Sequence, residues 1–367
     1  MSTTRGPPHG PPRTAAGDRT AAGRATGHNR DVRSFTCENC GQLLFFENSL
    51  CLRCSSPLGF EPSEGRLAVL GSPGTPESEL PRCANARIAA CNWVPAPFAG
   101  AGLCASCERT RTRPNDADLD ADGLLAFAKA EAAKRRLLFE LEDLGLPIGD
   151  DLRFDLLSSR SGPVMTGHSE GLITIDLAES DDAQRERRRT ELGEPYRTVL
   201  GHFRHEIGHY YWTLLIEGGP ELERFRKLFG DERADYQEAL ERHYEQEPPA
   251  DWSEQHVSAY ATMHPWEDWA ETFAHYLHIR DTLQTAGAYG MIVAGPPRHP
   301  EPALVAAPGA ADPEHEPFER LMEDWLPLTY SLNAINRSMG QDDLYPFTLA
   351  PVVVDKLAFV HELVLSA

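Results

Sequence analysis

The chain has 367 residues, of which 41% are hydrophobic, and it carries a formal net charge of −21. This length allows two domains and a sizeable core. No stretch approaches the roughly 18 to 20 apolar residues of a membrane span, and the N-terminus has no apolar signal segment, so we expect a cytoplasmic protein without a membrane partner. In that setting the eight cysteines indicate metal ligands before disulfides.

Residues 1–34 predict a disordered tail. They are rich in Gly, Pro, Ala, Thr and Arg and contain almost no large apolar side chains. Such a segment cannot bury enough surface to offset the entropy lost on ordering. Six arginines stand against two aspartates in this tail, but a solvated segment is favoured over a nucleic-acid contact.

Two Cys-x-x-Cys pairs follow the tail and flank ten residues that include the apolar run 43–46; the pairs are Cys37, Cys40, Cys51 and Cys54. Pairs at this separation are typical of the knuckles of a zinc ribbon, with the apolar run as a hairpin strand. The alternative is a redox Cys-x-x-Cys, which needs no second copy and would lie in a βαβ context that is missing here.

A second group of cysteines predicts another zinc site: Cys83, Cys91, Cys104 and Cys107. Thiolates this near in sequence usually converge on one ion, although Cys83 and Cys91 could instead be small core residues. Basic and acidic residues balance across residues 35–113, which does not indicate a nucleic-acid-binding surface. We expect residues 35–113 to form a zinc-ribbon domain with one or two four-cysteine zinc sites and a structural or protein-docking role.

Residues 114–367 predict one larger, mostly helical domain. A helix runs from Asp116 and stops near Gly145, and strands are predicted at residues 152–157 and 171–177. Further helices are predicted at residues 222–229, 234–244, from 265 onward, 318–339 and 352–365, with a loop or insertion at residues 286–317.

The stretch Arg204–Trp212 contains His-Glu-x-x-His within a helical pattern. Pro195 suits a first helical turn, and the Gly-Gly-Pro run at residues 218–220 is a stop signal. An apolar stripe covers one side of this helix and the histidines fall on the other. Gly208 costs about 1 kcal/mol relative to Ala in a helix interior, which predicts the close approach of another backbone.

This motif predicts a zinc site. His205 and His209 are four residues apart on the helix, so both imidazoles can reach one zinc ion. Glu206 lies beside them, where it can act as the general base for a water that zinc polarises. Because the motif is short, chance or purely structural histidines are the alternative.

A later helix offers a third ligand. Glu267 and Glu271 share one helix face, whereas an aromatic and apolar stripe occupies another: Trp266, Trp269, Phe273 and Leu277. Two carboxylates at this spacing suit a zinc ligand, Glu267, and a hydrogen-bond acceptor for a ligand histidine, Glu271. The alternative is a solvent-facing acidic stripe.

The chain resembles the putative zinc-binding metallopeptidase family that carries an N-terminal zinc ribbon. The resemblance covers nearly everything from residue 35 to the C-terminus and is carried by residues 37–42, 44–48, 204–212, 229–232, 264–271 and 345–347. It implies a gluzincin-type peptidase domain in which His205, His209 and Glu267 bind zinc and Glu206 is the general base. It does not indicate a substrate.

Two finer expectations come from similarity to zincins. In lethal-factor-like zincins a tyrosine seven residues before the glutamate ligand lies over the zinc, which implies that Tyr260 stabilises the oxyanion; the alternative is a tyrosine packed in its own segment. In zincin folds a strand before the metal helix edges the cleft and pairs with an extended substrate, which implies this role for residues 171–177 unless they form an ordinary core strand.

The remaining nearby histidines are expected to be supporting or surface groups: His202, His264, His275 and His278.

The fold class we expect is therefore α+β, a mostly helical zincin-like metallopeptidase domain preceded by a small zinc-ribbon domain. The expected cofactor is Zn²⁺, one ion catalytic and one or two structural. The expected partner is a peptide or protein substrate, and the ribbon could dock a further protein. The rival interpretation is a non-catalytic, zinc-stabilised protein-binding module whose His-Glu-x-x-His site holds a structural or latent metal.

Overall fold

A computed structural model describes residues 34–71, 80–96, 102–181, 185, 187, 197–295, 305–308 and 316–367. The predicted tail lies outside these ranges apart from its last residue. The expected α+β class is confirmed, because short strands fill the first part of the chain and helices dominate the second. None of the helices formed by these residues is long and apolar enough to cross a membrane.

Two antiparallel hairpins form the cysteine-rich part, β1 (Phe35–Thr36) with β2 (Leu43–Leu44) and β3 (Leu58–Glu61) with β4 (Arg66–Val69). The short helix α1 (Ala105–Glu108) follows them.

The cysteine-rich part packs on the long helix α2 (Ala121–Asp143) through aromatic rings. Phe46 stacks on Phe139 of α2 with 4.7 Å between ring centroids, and Phe60 meets the same ring edge-on at 5.4 Å. All three side chains are buried. The two parts of the chain therefore share a hydrophobic core, so the ribbon contributes to the stability of the helical part.

A four-stranded sheet of order β5-β6-β8-β7 precedes the motif helix. Its strands are β5 (Thr110–Thr112), β6 (Arg153–Leu157), β7 (Gly167–Ser169) and β8 (Leu172–Asp176). β5, β6 and β8 run parallel, whereas β7 is antiparallel to β8. β5 belongs to the residues predicted as ribbon, so this strand carries the chain from the second cysteine group straight into the sheet.

The expectation that residues 171–177 line the cleft as an edge strand is wrong. β8 pairs with β6 on one side and with β7 on the other, so both of its backbone edges already have partners. The edge strands of the sheet are β5 and β7, and β7, the one paired with β8, is three residues long. Its His168 ring lies 6.5 Å from the His209 ring, so β7 is the strand beside the motif.

The remaining helices agree with the predicted segments to within a few residues: α3 (Val199–Leu215), α4 (Leu222–Phe229), α5 (Tyr236–Glu245), α6 (Pro265–Ala288), α7 (Phe318–Ser338) and α8 (Pro351–Ser366). Helix α3 begins at Val199 because the Thr198 side chain accepts a hydrogen bond from the Gly201 amide at 2.9 Å; Pro195 lies outside the described residues. Within the predicted loop, β9 (Val293–Ala294) pairs with β10 (Val305–Ala306).

Helices α3 and α6, which carry the candidate metal ligands, are in close backbone contact. A β carbon at Gly208 would lie 3.0 Å from Ala270 Cα, which confirms the predicted close backbone approach. Trp269 Nε1 donates to the Gly208 carbonyl oxygen at 2.8 Å. The buried Arg204 donates to Glu140 of α2 at 3.0 Å and to Asp281 of α6 at 2.7 Å. These contacts fix the motif helix against the helix that carries Glu267 and Glu271.

Candidate metal centre

The three predicted ligands of the motif site converge. His205 and His209 lie one turn apart on α3, with 5.0 Å between their ring centroids. His205 Nε2 is 3.0 Å from Glu267 Oε2, and His209 Nε2 is 3.5 Å from Glu267 Oε1. The donor atoms of all three residues lie within 4.8 Å of one another. His205 and Glu267 are 62 positions apart in the chain, yet with His209 they form one cluster of two imidazole nitrogens and a carboxylate.

Glu271 and Ser258 hold His205 from its other side. His205 Nδ1 donates to Glu271 Oε1 at 2.7 Å, and Ser258 Oγ donates to Glu271 Oε2 at 2.6 Å. Burial alone would lower the pKa of His205, but the carboxylates of Glu267 and Glu271 outweigh burial and raise that pKa well above its usual range. With Nδ1 engaged, Nε2 is the nitrogen of His205 that binds a metal, and metal binding there releases the Nε2 proton.

Glu206 lies beside this cluster and is buried. Burial raises the pKa of its carboxyl, and the neighbouring His205 and His209 oppose that rise. A carboxyl whose pKa is moved toward neutrality is suited to accept and return a proton.

Two tyrosines approach the same cluster. Tyr260, in a short 3-10 turn over Tyr260–Thr262, has its ring 5.9 Å from the His205 ring. Burial raises its pKa, so it remains a neutral phenol and a hydrogen-bond donor. The second tyrosine, which was not predicted from the sequence, is Tyr236, the first residue of α5; its hydroxyl donates to Glu267 Oε1 at 2.9 Å. No local pattern marks this contact, because 31 residues separate the two side chains.

Trp266 departs from the predicted placement. The sequence put it on an apolar stripe away from the carboxylates, but its ring packs on His209 with 4.4 Å between centroids. It is half-buried, in contrast to the fully buried Trp269 and Phe273 of the same stripe. The reason is position: Trp266 lies in the first turn of α6, where the helix begins beside the motif. Trp266 is therefore part of the wall of the site.

The other nearby histidines have contacts of their own, as expected for supporting groups. His202 Nδ1 is 3.7 Å from Glu179 Oε2, and His264 caps α6 through Nδ1, which accepts from the Trp266 amide at 3.1 Å. His275 bonds the Tyr345 hydroxyl at 2.8 Å, and His278 Nδ1 accepts from Arg204 at 3.2 Å. None of the four belongs to the cluster of candidate ligands among the described residues.

The first cysteine quartet also converges. Cys37 Sγ is 3.7 Å from Cys54 Sγ, and Cys40 Sγ is 3.6 Å from Cys51 Sγ. Four sulfurs at about 2.3 Å from one tetrahedral zinc ion would be roughly 3.8 Å apart, so these separations fit a zinc site and exceed the length of a disulfide. The Ser56 hydroxyl and amide lower the pKa of the Cys54 thiol to about 6, which favours the thiolate form that binds zinc.

The second cysteine quartet converges as well, so Cys83 and Cys91 lie with Cys104 and Cys107 in one group of possible metal ligands. Cys91 Sγ lies 3.6 Å from Cys104 Sγ and 3.7 Å from Cys107 Sγ, and Cys83 Sγ accepts from the Cys104 amide at 3.4 Å. All four thiols are buried and free. Both quartets form groups that could hold a metal ion.

The motif cluster fits zinc by the chemistry of its donors. Two imidazole nitrogens and one carboxylate are a common set of protein ligands in catalytic zinc sites, which leave a further position for water or substrate. The Glu267 carboxylate is buried, and a buried carboxylate needs a compensating charge. A divalent cation between Glu267 and the two imidazoles would supply that charge.

Two family models and proteins of two mycobacteria match the chain over most of its length. Residues 124–363 match the family described as putative zinc-binding metallo-peptidase, and residues 34–118 match a zinc-ribbon domain. The chain is similar to proteins of Mycobacterium tuberculosis and Mycobacterium bovis that are described as uncharacterized; each is 53% identical over 342 residues, which cover 91% of this chain and 95% of the relative. No solved structure matches the chain.

Proposed function

The chain belongs to the putative zinc-binding metallo-peptidase family, and from this premise we propose that it is a zinc-dependent peptidase of the zincin type. Its substrates are peptides or proteins, and the reaction is hydrolysis of a peptide bond. The observation that carries the proposal is the convergence of His205, His209 and Glu267 beside the buried Glu206 carboxyl. This arrangement provides a metal-binding group and a proton acceptor in one place.

Each residue has a role in the proposed reaction. His205, His209 and Glu267 would hold the zinc. The bound ion would supply Lewis acidity that lowers the pKa of a water to about 7 and polarises the scissile carbonyl. Glu206 takes the proton from the attacking water and passes it to the leaving amine. Tyr260 donates its phenol proton in a hydrogen bond to the carbonyl oxygen as negative charge develops there. Glu271 and Ser258 keep the His205 ring in its orientation.

We assign substrate docking to β7. Its side away from β8 pairs with no other strand in the part of the chain that the structure describes, and an extended peptide can add to such an edge through backbone hydrogen bonds. The His168 ring on β7 lies beside the His209 ring. A peptide on this edge would therefore run past the candidate metal ligands.

The two cysteine quartets are assigned structural zinc ions, giving three zincs per chain with the motif site. Free thiols in both quartets suit a reducing compartment, so we place the protein in the cytoplasm.

The test uses wild type and Glu206→Gln on a library of peptides from a digested proteome, with new N-termini counted by mass spectrometry. Wild type is expected to cleave, and Glu206→Gln to cleave about 10² to 10⁴-fold more slowly while holding the same number of zinc ions. Equal cleavage by the two proteins would overturn the assigned mechanism. A wild type that holds the third zinc and cleaves nothing would instead support the protein-binding module with a latent metal site.

A further inference from the structure

The hydroxyl of Tyr236 makes the two oxygens of Glu267 unequal. Tyr236 Oη is 2.9 Å from Glu267 Oε1, and a phenol beside a carboxylate is the donor. The other oxygen, Oε2, faces His205 Nε2 at 3.0 Å. Oε1 thus accepts a hydrogen bond from α5 and lies 3.5 Å from His209 Nε2, whereas Oε2 lies closer, at 3.0 Å, to the His205 nitrogen expected to share the metal.

Tyr236 is held in place by the turn that starts α6. His264 Nδ1 accepts a hydrogen bond from the Trp266 amide at 3.1 Å, so Nε2 of this neutral ring carries the proton and donates to the Ala234 carbonyl oxygen at 3.1 Å. The Tyr236 ring also meets the His264 ring edge-on at 5.3 Å. The same turn thus fixes both the tyrosine and the first turn of α6, which carries Glu267.

Packing in the hydrophobic core does not explain why a tyrosine occupies position 236. Tyr236 is 38% exposed, and Ala239 is the buried residue of α5. A phenylalanine at this position would keep the ring contacts with His264 and Trp266. The feature that requires tyrosine is the hydroxyl, whose hydrogen-bond acceptor is Glu267.

We propose that Tyr236 is a positioning residue for Glu267: its hydroxyl holds Oε1 so that the carboxylate offers the metal one oxygen, Oε2. This inference rests on the proposed function, because it takes Glu267 as a zinc ligand. A carboxylate that bound through both oxygens would occupy an additional position around the ion. One-oxygen binding leaves that position for water and the substrate carbonyl, which a catalytic zinc site requires. A hydrogen-bond donor to a ligand also fixes the ligand's orientation.

The test compares Tyr236→Phe with Tyr244→Phe in the full chain. Tyr244 lies on the same helix, is 70% exposed and has its ring contact with His243, so it is a matched control. Zinc affinity at the motif site is measured by competition with a chromogenic chelator. Tyr236→Phe is expected to bind zinc about 10 to 100-fold more weakly than wild type, and Tyr244→Phe to bind it equally well. Thermal unfolding of the two variants with zinc in both cysteine quartets should match wild type.

A spectroscopic readout separates positioning from packing. With zinc kept in both quartets and cobalt(II) added to the motif site, a four-coordinate ion absorbs more strongly in the visible range than a five-coordinate one. Tyr236→Phe is expected to lower this absorption because Glu267 can then bind through both oxygens.

Wild-type zinc affinity together with wild-type cobalt absorption in Tyr236→Phe would overturn the inference while leaving the peptidase proposal intact. A wild-type chain without metal at the motif site would overturn both.

Discussion

Gly208 and Ala270 bring the two site-bearing helices into backbone contact. A β carbon at Gly208 would lie 3.0 Å from Ala270 Cα and 3.2 Å from its carbonyl oxygen, closer than an ordinary van der Waals contact. Because His205 and His209 are on one of these helices and Glu267 is on the other, the spacing of the metal ligands depends on this contact.

Gly208→Ala is therefore expected to destabilise the protein although alanine favours helices. Overpacking costs about 1 to 3 kcal/mol, against a gain in helix propensity of about 1 kcal/mol. Pushing α3 from α6 should also weaken zinc binding at the motif site. Urea denaturation and zinc titration measure the two effects. Gly167→Ala is the control, since a β carbon there would have nothing within 4 Å. If Gly208→Ala matches that control in both measurements, the contact does not set the geometry of the site.

Removing the Tyr260 hydroxyl is expected to slow turnover without removing zinc. The ring lies 5.9 Å from the His205 ring, and loss of one hydrogen-bond donor to an oxyanion costs about 10² to 10³ in rate. Tyr260→Phe should therefore lower kcat while the zinc count stays at the wild-type value, as measured by peptide hydrolysis and elemental analysis. Full turnover in Tyr260→Phe would assign the tyrosine to packing alone.

Glu271→Gln tests the support of His205. The carboxylate accepts from His205 Nδ1 at 2.7 Å and from Ser258 Oγ at 2.6 Å. Loss of its charge is expected to weaken zinc binding about 10 to 100-fold, and Ser258→Ala to weaken it less, because the carboxylate remains. Chelator competition gives both affinities. An order opposite to this one, with Ser258→Ala the weaker binder, would mean that Glu271 does not act through His205.

Acid should destabilise the fold through buried histidines such as His278. Burial, with Arg204 beside the ring, lowers the pKa of His278 to about 3, against about 6.5 for an unfolded histidine. The unfolded chain therefore binds the proton first, so this contribution to stability is complete above pH 6.5 and is lost as the pH falls toward 3. Between about pH 7 and pH 5, wild type should lose about 2 kcal/mol more than His278→Gln in urea denaturation. Equal losses would show that His278 is protonated as easily in the folded chain as in the unfolded one.

The motif helix and the three Cys-x-x-Cys pairs were predictable because their signals are local. His205 and His209 need one helical turn to meet, and each Cys-x-x-Cys pair needs one tight turn. Glu267 was predictable because the i, i+4 spacing with Glu271 and the family resemblance pointed to the same residue. Helix bounds followed from caps and apolar spacing, as at α6, where the first residue is Pro265.

The missed features depend on tertiary contacts. Tyr236 reaches Glu267 from a helix whose pattern is that of an exposed acidic segment. The edge strand beside the motif is β7, which has three residues and is too short to produce an alternating pattern. Trp266 has the spacing of a core residue, but the start of α6 places it on His209. In each case the neighbour that decides the role is distant in the chain.

The most direct test of the central claim is native mass spectrometry of wild type and His205→Ala, counting zinc ions per chain. The two cysteine quartets and the His205, His209 and Glu267 cluster predict three zincs in wild type and two in His205→Ala, with the quartets still loaded. An unchanged zinc count in His205→Ala would contradict the account, because it would show that His205 is not an essential ligand and that no separate catalytic metal site depends on it.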